Sequence, residues 1–253
     1  MPNLAWNREK KFIFSCKIVV LAGLEIEKAS EMKRYLYVII ALLTVSCAKE
    51  DMGSGEHANP DGVSGDYMAI LTVKKTPTDT VFFQLNDSTT IYAANYQGGY
   101  TRMERVYCDI TVTNTRVGRF NYSGKINWIE SLDEGRVTSD ASVKGADGLD
   151  IINDWMTSVE DGYLTLHYST WWGANPVQHD FYLVTGTNPS DPYEVVLKQN
   201  SNGDKKSEEG DSLICFDINS LPHTGGLYKT LTLKWTTSGG SASEKKFKFK
   251  TRE

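Results

Sequence analysis

The chain has 253 residues, a formal net charge of −5 and a hydrophobic content of 40%. Seven Lys/Arg against four Asp/Glu precede Cys47, so residues 47–253 carry a net charge of −8. That balance lacks the basic face that neutralising phosphates requires and excludes a nucleic-acid partner, and the apolar and aromatic content excludes global disorder.

Met32 to Asp51 decides where the protein resides. Lys33 and Arg34 form a short positive region, and Leu36 to Val45 is almost wholly apolar. This run is shorter than the roughly 20 residues a bilayer span takes and matches the apolar core of a secretory signal. Residues 32–46 are therefore read as a signal peptide with Met32 as initiator, and residues 1–31 as the product of an upstream start. Leu43-Thr44-Val45-Ser46-Cys47 resembles a bacterial lipobox, with Thr44 where Leu is usual. The resemblance implies cleavage before Cys47 and acylation of its thiol. With about 0.8 kcal/mol per buried CH₂, two or more chains hold such a protein durably on a membrane. Lys49-Glu50-Asp51 resembles the surface-export signal of Bacteroidetes lipoproteins, so the expected location is the outer membrane, at the cell surface. Residues 47–65, rich in Gly, Ser, Pro and Asn, read as a flexible tether.

Residues 66–130 are written in period two. Asp66 to Lys74 alternates with both faces largely apolar, as in a strand covered on both sides or in a barrel. Further strands follow at Thr80–Leu85, Thr89–Ala94, Arg105–Thr113 and Gly118–Trp128. Five short strands without a strong helix signal suit a small OB-like barrel. Cys108 falls on the apolar face with Val106, Ile110 and Val112, which makes it a core thiol. Glu130 to Gly148 is a polar break, read as the inter-domain connection. Residues 149–251 return to strands at Tyr163–Thr170, His179–Thr185, Tyr193–Lys198, Leu213–Ile218, Lys229–Trp235 and Lys245–Lys250, with Ser201 to Asp211 as a charged hairpin loop. This pattern fits a β-sandwich. The fold class is thus all-β, a five-stranded OB-like barrel followed by a β-sandwich. Cys108 and Cys215 are read as buried thiols in separate domains.

A lipobox, an OB-like domain and a sandwich carrying Asp154-Trp155, Gly162-Tyr163-Leu164-Thr165-Leu166, His179 to Val184 and Thr230 to Trp235 resemble the NigD-like lipoproteins of Bacteroidetes. The resemblance covers about Met32 to Lys250. It implies an association with bacteriocin loci and brings no catalytic residues.

The sequence has no GxSxG, HExxH or phosphate-binding glycine loop, and no Cys/His cluster for zinc. His167 and His179, with Asp180 beside the latter, lie on neighbouring predicted strands. They could meet across a hairpin as a metal or acid–base pair, or lie on a solvent face. Asp150, Asp154 and Asp161 lack EF-hand spacing for calcium. Tyr168, Trp171 and Trp172 stand at a strand end and could form an aromatic platform for a sugar or a partner chain. The expectation is a non-enzymatic envelope lipoprotein without a cofactor. It would be held to the membrane through acylated Cys47 and act as an interaction or accessory module towards an envelope or extracellular protein, or as a glycan binder.

Overall fold

A computed structural model describes residues 64–96, 98–99 and 102–252. The expected signal peptide, Cys47 and nearly all of the tether lie outside the described residues. Fifteen strands and no helix are found among those that are described.

The first five strands are β1 (Gly65–Lys75), β2 (Val81–Gln84), β3 (Thr90–Ala93), β4 (Glu104–Thr113) and β5 (Tyr122–Ser131). They form a closed barrel in the order β1-β2-β3-β5-β4. The β1/β4 pairing, Gly65↔Val112 through Val73↔Glu104, completes the closure, and β3 runs parallel to β5. This is the Greek-key order of an OB-type barrel. Closure explains one apolar face of β1, and contact with the second half covers the other around Thr72 and Lys74. One face lines the barrel core with Leu71, Val73, Phe83, Ile91 and Ile110, and Ile70 and Thr72 on the other are also buried. Cys108 is a free, fully buried thiol in that core.

The remaining strands are β6 (Asp133–Glu134), β7 (Arg136–Thr138), β8 (Asp150–Ile151), β9 (Ser158–Glu160), β10 (Tyr163–Trp172), β11 (Asp180–Val184), β12 (Glu194–Asn200), β13 (Glu208–Asp217), β14 (Lys229–Thr236) and β15 (Ala242–Phe249). One sheet has the order β6-β13-β10-β8, with β9 also on β10; the other is β15-β14-β12-β11-β7. Their inner faces enclose Leu164, Leu166, Leu183, Phe216, Leu231 and Phe249. Cys215 is the second free, buried thiol.

Two expectations about this half need correction. The segment 130–148 is not simply a connection: β6 runs parallel to β13 and β7 parallel to β11, so it adds a strand to each sheet. Nor is Ser201 to Asp211 a hairpin loop. β12 pairs with β11 and β14, whereas β13 pairs with β10 and β6, so the segment crosses between sheets. Its last four residues already belong to β13. Charge misled in both places because a strand at a sheet edge, exposed on both faces, has no need of apolar alternation.

Barrel and sandwich meet through buried charge. Arg105 of β4, 2% exposed, donates from Nη1 to Thr72 Oγ1 at 2.9 Å and lies 3.8 Å from Glu160 Oε2. Burial pushes the Glu160 carboxyl up to about 7 against the opposing pull of Arg105, and burial lowers the guanidinium. The turn between β9 and β10 is Asp161-Gly162, with φ of 50° and 70°, the positive pair that a two-residue hairpin of this hand requires. It presents Asp161 to Lys74 of the barrel at 2.6 Å.

Candidate functional site

Strand alternation decides what β10 offers. Its even positions, Leu164, Leu166 and Tyr168, face the sandwich core. Its odd positions face outward. Tyr163 and Thr165, at the end of β10 where the barrel contacts Glu160 and Asp161, are buried. Beyond that end His167, Ser169 and Trp171 emerge. The antiparallel register places Leu213, Asp211 and Glu209 of β13 opposite them. The result is an outward ledge of three cross-strand pairs.

Hydrogen bonds fix the ledge. His167 Nδ1 lies 2.7 Å from Asp154 Oδ2 and Nε2 lies 3.0 Å from Asp211 Oδ2. A neutral imidazole can donate to only one of these carboxylates and an imidazolium to both. Ser169 Oγ donates to Glu209 Oε1 at 3.1 Å. Asp154 is itself oriented by the Met156 backbone N–H, which donates to Oδ1 at 3.0 Å. The barrel bounds this end of the ledge, because the Trp155 ring lies 6.3 Å from Tyr107 and Tyr107 stands edge-on to Trp128 at 5.5 Å. Burial pushes the Tyr107 phenol up. At the other end Trp171 is 37% exposed.

The expected aromatic platform of Tyr168, Trp171 and Trp172 does not form. Tyr168 is 4% exposed and packs on Phe181 at 4.9 Å inside the sandwich. Neighbouring residues on a strand point to opposite faces, so Trp172 turns inward and stacks on His179 at 4.2 Å while Trp171 alone faces out. His167 and His179 do not meet either, since β10 and β11 belong to different sheets. His179 is buried rather than on a solvent face. Gln199 Nε2 donates to its Nδ1 at 2.7 Å, which leaves Nε2–H to donate to Asp204 Oδ2 at 3.3 Å. That same carboxylate accepts the backbone N–H of Gly173 and of Val177. These bonds, the Gly173 one foremost, hold it below the usual carboxylate range. This second histidine therefore ties two loops together. Asp180 accepts from Asn202.

Asp150, Asp154 and Asp161 do not converge. They accept from Ser238, bind His167 and pair with Lys74, respectively. Among the described residues no group of three or more His, Cys, Asp or Glu is arranged to hold a metal ion. The ledge residues that the sequence did not single out are Ser169, Glu209 and Asp211. No motif marks them, and only the β10/β13 register brings them beside His167 and Trp171.

Comparison with known proteins gives a family match for the second half and a similar fold for about three quarters of the chain. Residues 129–249 match the NigD-like C-terminal beta sandwich domain. A crystal structure from Parabacteroides distasonis, provisionally named a toxin-related protein, is similar at 23% identity and a TM-score of 0.61. The similarity covers 74% of this chain and 94% of that one. A NigD-like immunity protein from Bacteroides caccae is similar at 15% identity and a TM-score of 0.50, over 71% of this chain and 91% of that one. A protein of Bacteroides fragilis, provisionally named a lipoprotein, is similar at 11% identity and a TM-score of 0.50, over 75% and 100%. No curated protein matches the chain.

Proposed function

Through residues 129–249 the chain belongs to the family of NigD-like C-terminal beta sandwich domains, and from there we propose that it is a non-enzymatic lipoprotein of the cell envelope. In this reading it is anchored in the outer membrane by acylated Cys47, faces the cell surface and acts as an interaction module. The observation that supports the reading is the ledge on β10 and β13. It is a pre-oriented outward surface carrying an exposed indole beside two carboxylates, built on rigid strands rather than loops. The name of the Bacteroides caccae relative extends the proposal to an accessory or immunity-like role.

Two measurements test it. A photo-crosslinking side chain at Trp171 in intact cells is expected to give one defined adduct, and the same group at exposed Lys125 on the barrel none. Equal labelling from both positions removes the ledge as the interaction surface. Protease treatment of intact cells tests location. Wild type should be cleaved, while Cys47→Ala and a variant neutralised at Lys49, Glu50 and Asp51 should be protected. Protection of an acylated wild type places the protein on the periplasmic side.

A glycan is the second reading, favoured by Trp171 itself. An exposed indole stacks on a sugar ring while Glu209 and Asp211 accept hydroxyl protons. It predicts that Trp171→Ala abolishes glycan binding and that Trp172→Ala acts only through stability.

A further inference from the structure

We propose that the outer face of the β15-β14-β12-β11-β7 sheet rests on an anionic membrane surface and so turns the ledge away from it; this rests on the anchored-lipoprotein reading above. Charge is segregated between the two sheets of the sandwich. The strands of the sheet that carries the ledge, β6, β8, β9, β10 and β13, hold eight Asp or Glu and no Lys or Arg. The strands of the opposite sheet hold seven Lys or Arg against three Asp or Glu. Stacked sheets lie about 10 Å apart, so the sandwich is acidic on one side and basic on the other.

Register shows which of these cations face outward. Leu231 and Leu233 of β14 and Val195 and Leu197 of β12 lie in the core, so Lys234 and Lys198, one position on, face out. β15 sets Lys248 opposite Thr230 and Lys246 opposite Thr232 on that same outer row. Across the sheet, Tyr182 lies opposite Lys198 and Arg136 opposite Tyr182. Lys245 differs: it points inward and bonds Asn153. Within the outer face Lys234 pairs with Glu194 at 2.8 Å, and Lys246, 64% exposed, lies 3.8 Å from Glu244. Arg136 sits over the Tyr182 ring at 5.8 Å, and Lys198 donates to the backbone carbonyls of Ala141 and Val143. These contacts leave both charges unneutralised.

Charge and attachment then select the occupant. Residues 47–253 carry a net charge of −8, so an anionic surface repels the molecule as a whole, and the basic sheet is the side of the sandwich that it attracts. Each Lys or Arg near such a surface shifts the equilibrium by about fivefold. Ser64 follows Cys47 by 17 residues, a length that reaches about 60 Å at full extension. Acylation of Cys47 therefore keeps the strands near a bilayer, where weak contacts suffice because the encounter is intramolecular. The outer faces of two stacked sheets point in opposite directions. Contact through the basic face thus directs Trp171, Glu209 and Asp211 away from the bilayer, towards a partner.

The test uses the mature chain coupled through the Cys47 thiol to a maleimide-bearing lipid; Cys108 and Cys215 are buried and do not compete. A fluorescent side chain replaces either exposed Thr230 on the basic face or Trp171 on the ledge. Energy transfer to a headgroup-labelled lipid measures which of the two lies nearer the bilayer. On vesicles containing phosphatidylglycerol, transfer from the Thr230 site is expected to exceed that from the Trp171 site. The difference should vanish on phosphatidylcholine alone, and in about 1 M salt, where the Debye length falls to about 3 Å. Lys248→Ala should lower the population that rests on this face about fivefold. Equal transfer from both sites on phosphatidylglycerol overturns the proposal. A difference that persists on phosphatidylcholine reports the attachment rather than the charge and also overturns it. Polygalacturonate bound through Lys248, with no preference on vesicles, assigns the face to an acidic glycan and overturns it too. Coupling replaces acylation, so the two readings fail separately. Equal transfer with Cys47 acylated in cells removes the resting face and leaves the anchor. A transfer difference with Cys47 unacylated in cells keeps the affinity of the face for anionic headgroups and removes the anchor.

Discussion

Glu160 shows how a single side chain links the two halves to pH. Its carboxyl is raised from 4.5 to about 7 by burial, so the folded protein favours the protonated form. That contribution is fully present below the unfolded value of 4.5 and is lost as pH rises through about 7. Over that interval it amounts to roughly 3 kcal/mol at most. In denaturant titrations, Glu160→Gln should therefore gain stability relative to wild type between about pH 5 and pH 8. An unchanged difference between the two proteins across that range would show that Glu160 ionises normally. The tryptophan pair gives a second contrast. Trp171→Ala should alter stability by no more than about 0.5 kcal/mol, as for an exposed substitution. Trp172→Ala, which empties the space beside His179 and the sandwich core, should cost about 2–3 kcal/mol. Urea midpoints measured on both variants decide this, and they separate a binding residue from a packing residue one position apart.

At the scale of the elements, β10 carries most of the interest. Its alternation from Tyr163 to Thr170 was readable because one face must be buried and the period is two. The sequence also showed that Trp171 and Trp172 end a strand, but it could not show that the strand continues through both and so sends them to opposite faces. Partners across strands were less legible. Asp211 lies 44 residues from His167, and nothing local announces their contact. β6 and β7 were hidden because two- and three-residue strands have no periodicity to detect. The loop after β10 makes its own prediction. Gly173 sits so close to Asp204 that a Cβ would lie 2.1 Å from the carboxylate and 2.9 Å from the Lys205 carbonyl. Gly173→Ala should displace that carboxylate from His179 and cost about 1–3 kcal/mol. The loss should be visible in the denaturation midpoint and as faster amide exchange at Val177. On the opposite sheet, replacing Lys245 by Val removes the inward charge of the long edge strand. Light scattering of that variant should rise with concentration if Lys245 guards the edge.

At the scale of the whole molecule, the two free thiols among the described residues report on each half. Cys108 lies in the barrel core and Cys215 in the sandwich sheet, and burial pushes both thiols up to about 12. Neither should react with a thiol reagent at about pH 8 in the folded state. Because Arg105, Glu160, Asp161 and Lys74 tie the two cores together, both should become reactive at the same denaturant concentration. Separate transitions would mean that the junction does not couple the halves.

The pairing of β6 with β13 also sets an order of events in time. The barrel is complete once Ser131 is available, because every strand pairing within it lies before that residue. The sandwich is different. Asp133 and Glu134 wait for Ile214 and Cys215, and the core waits for Phe249 in the last strand. A chain that emerges from its N-terminus can therefore close its barrel early. The sandwich remains open until almost the final residue has appeared, and truncation within β15 should leave a folded barrel attached to an unfinished second half.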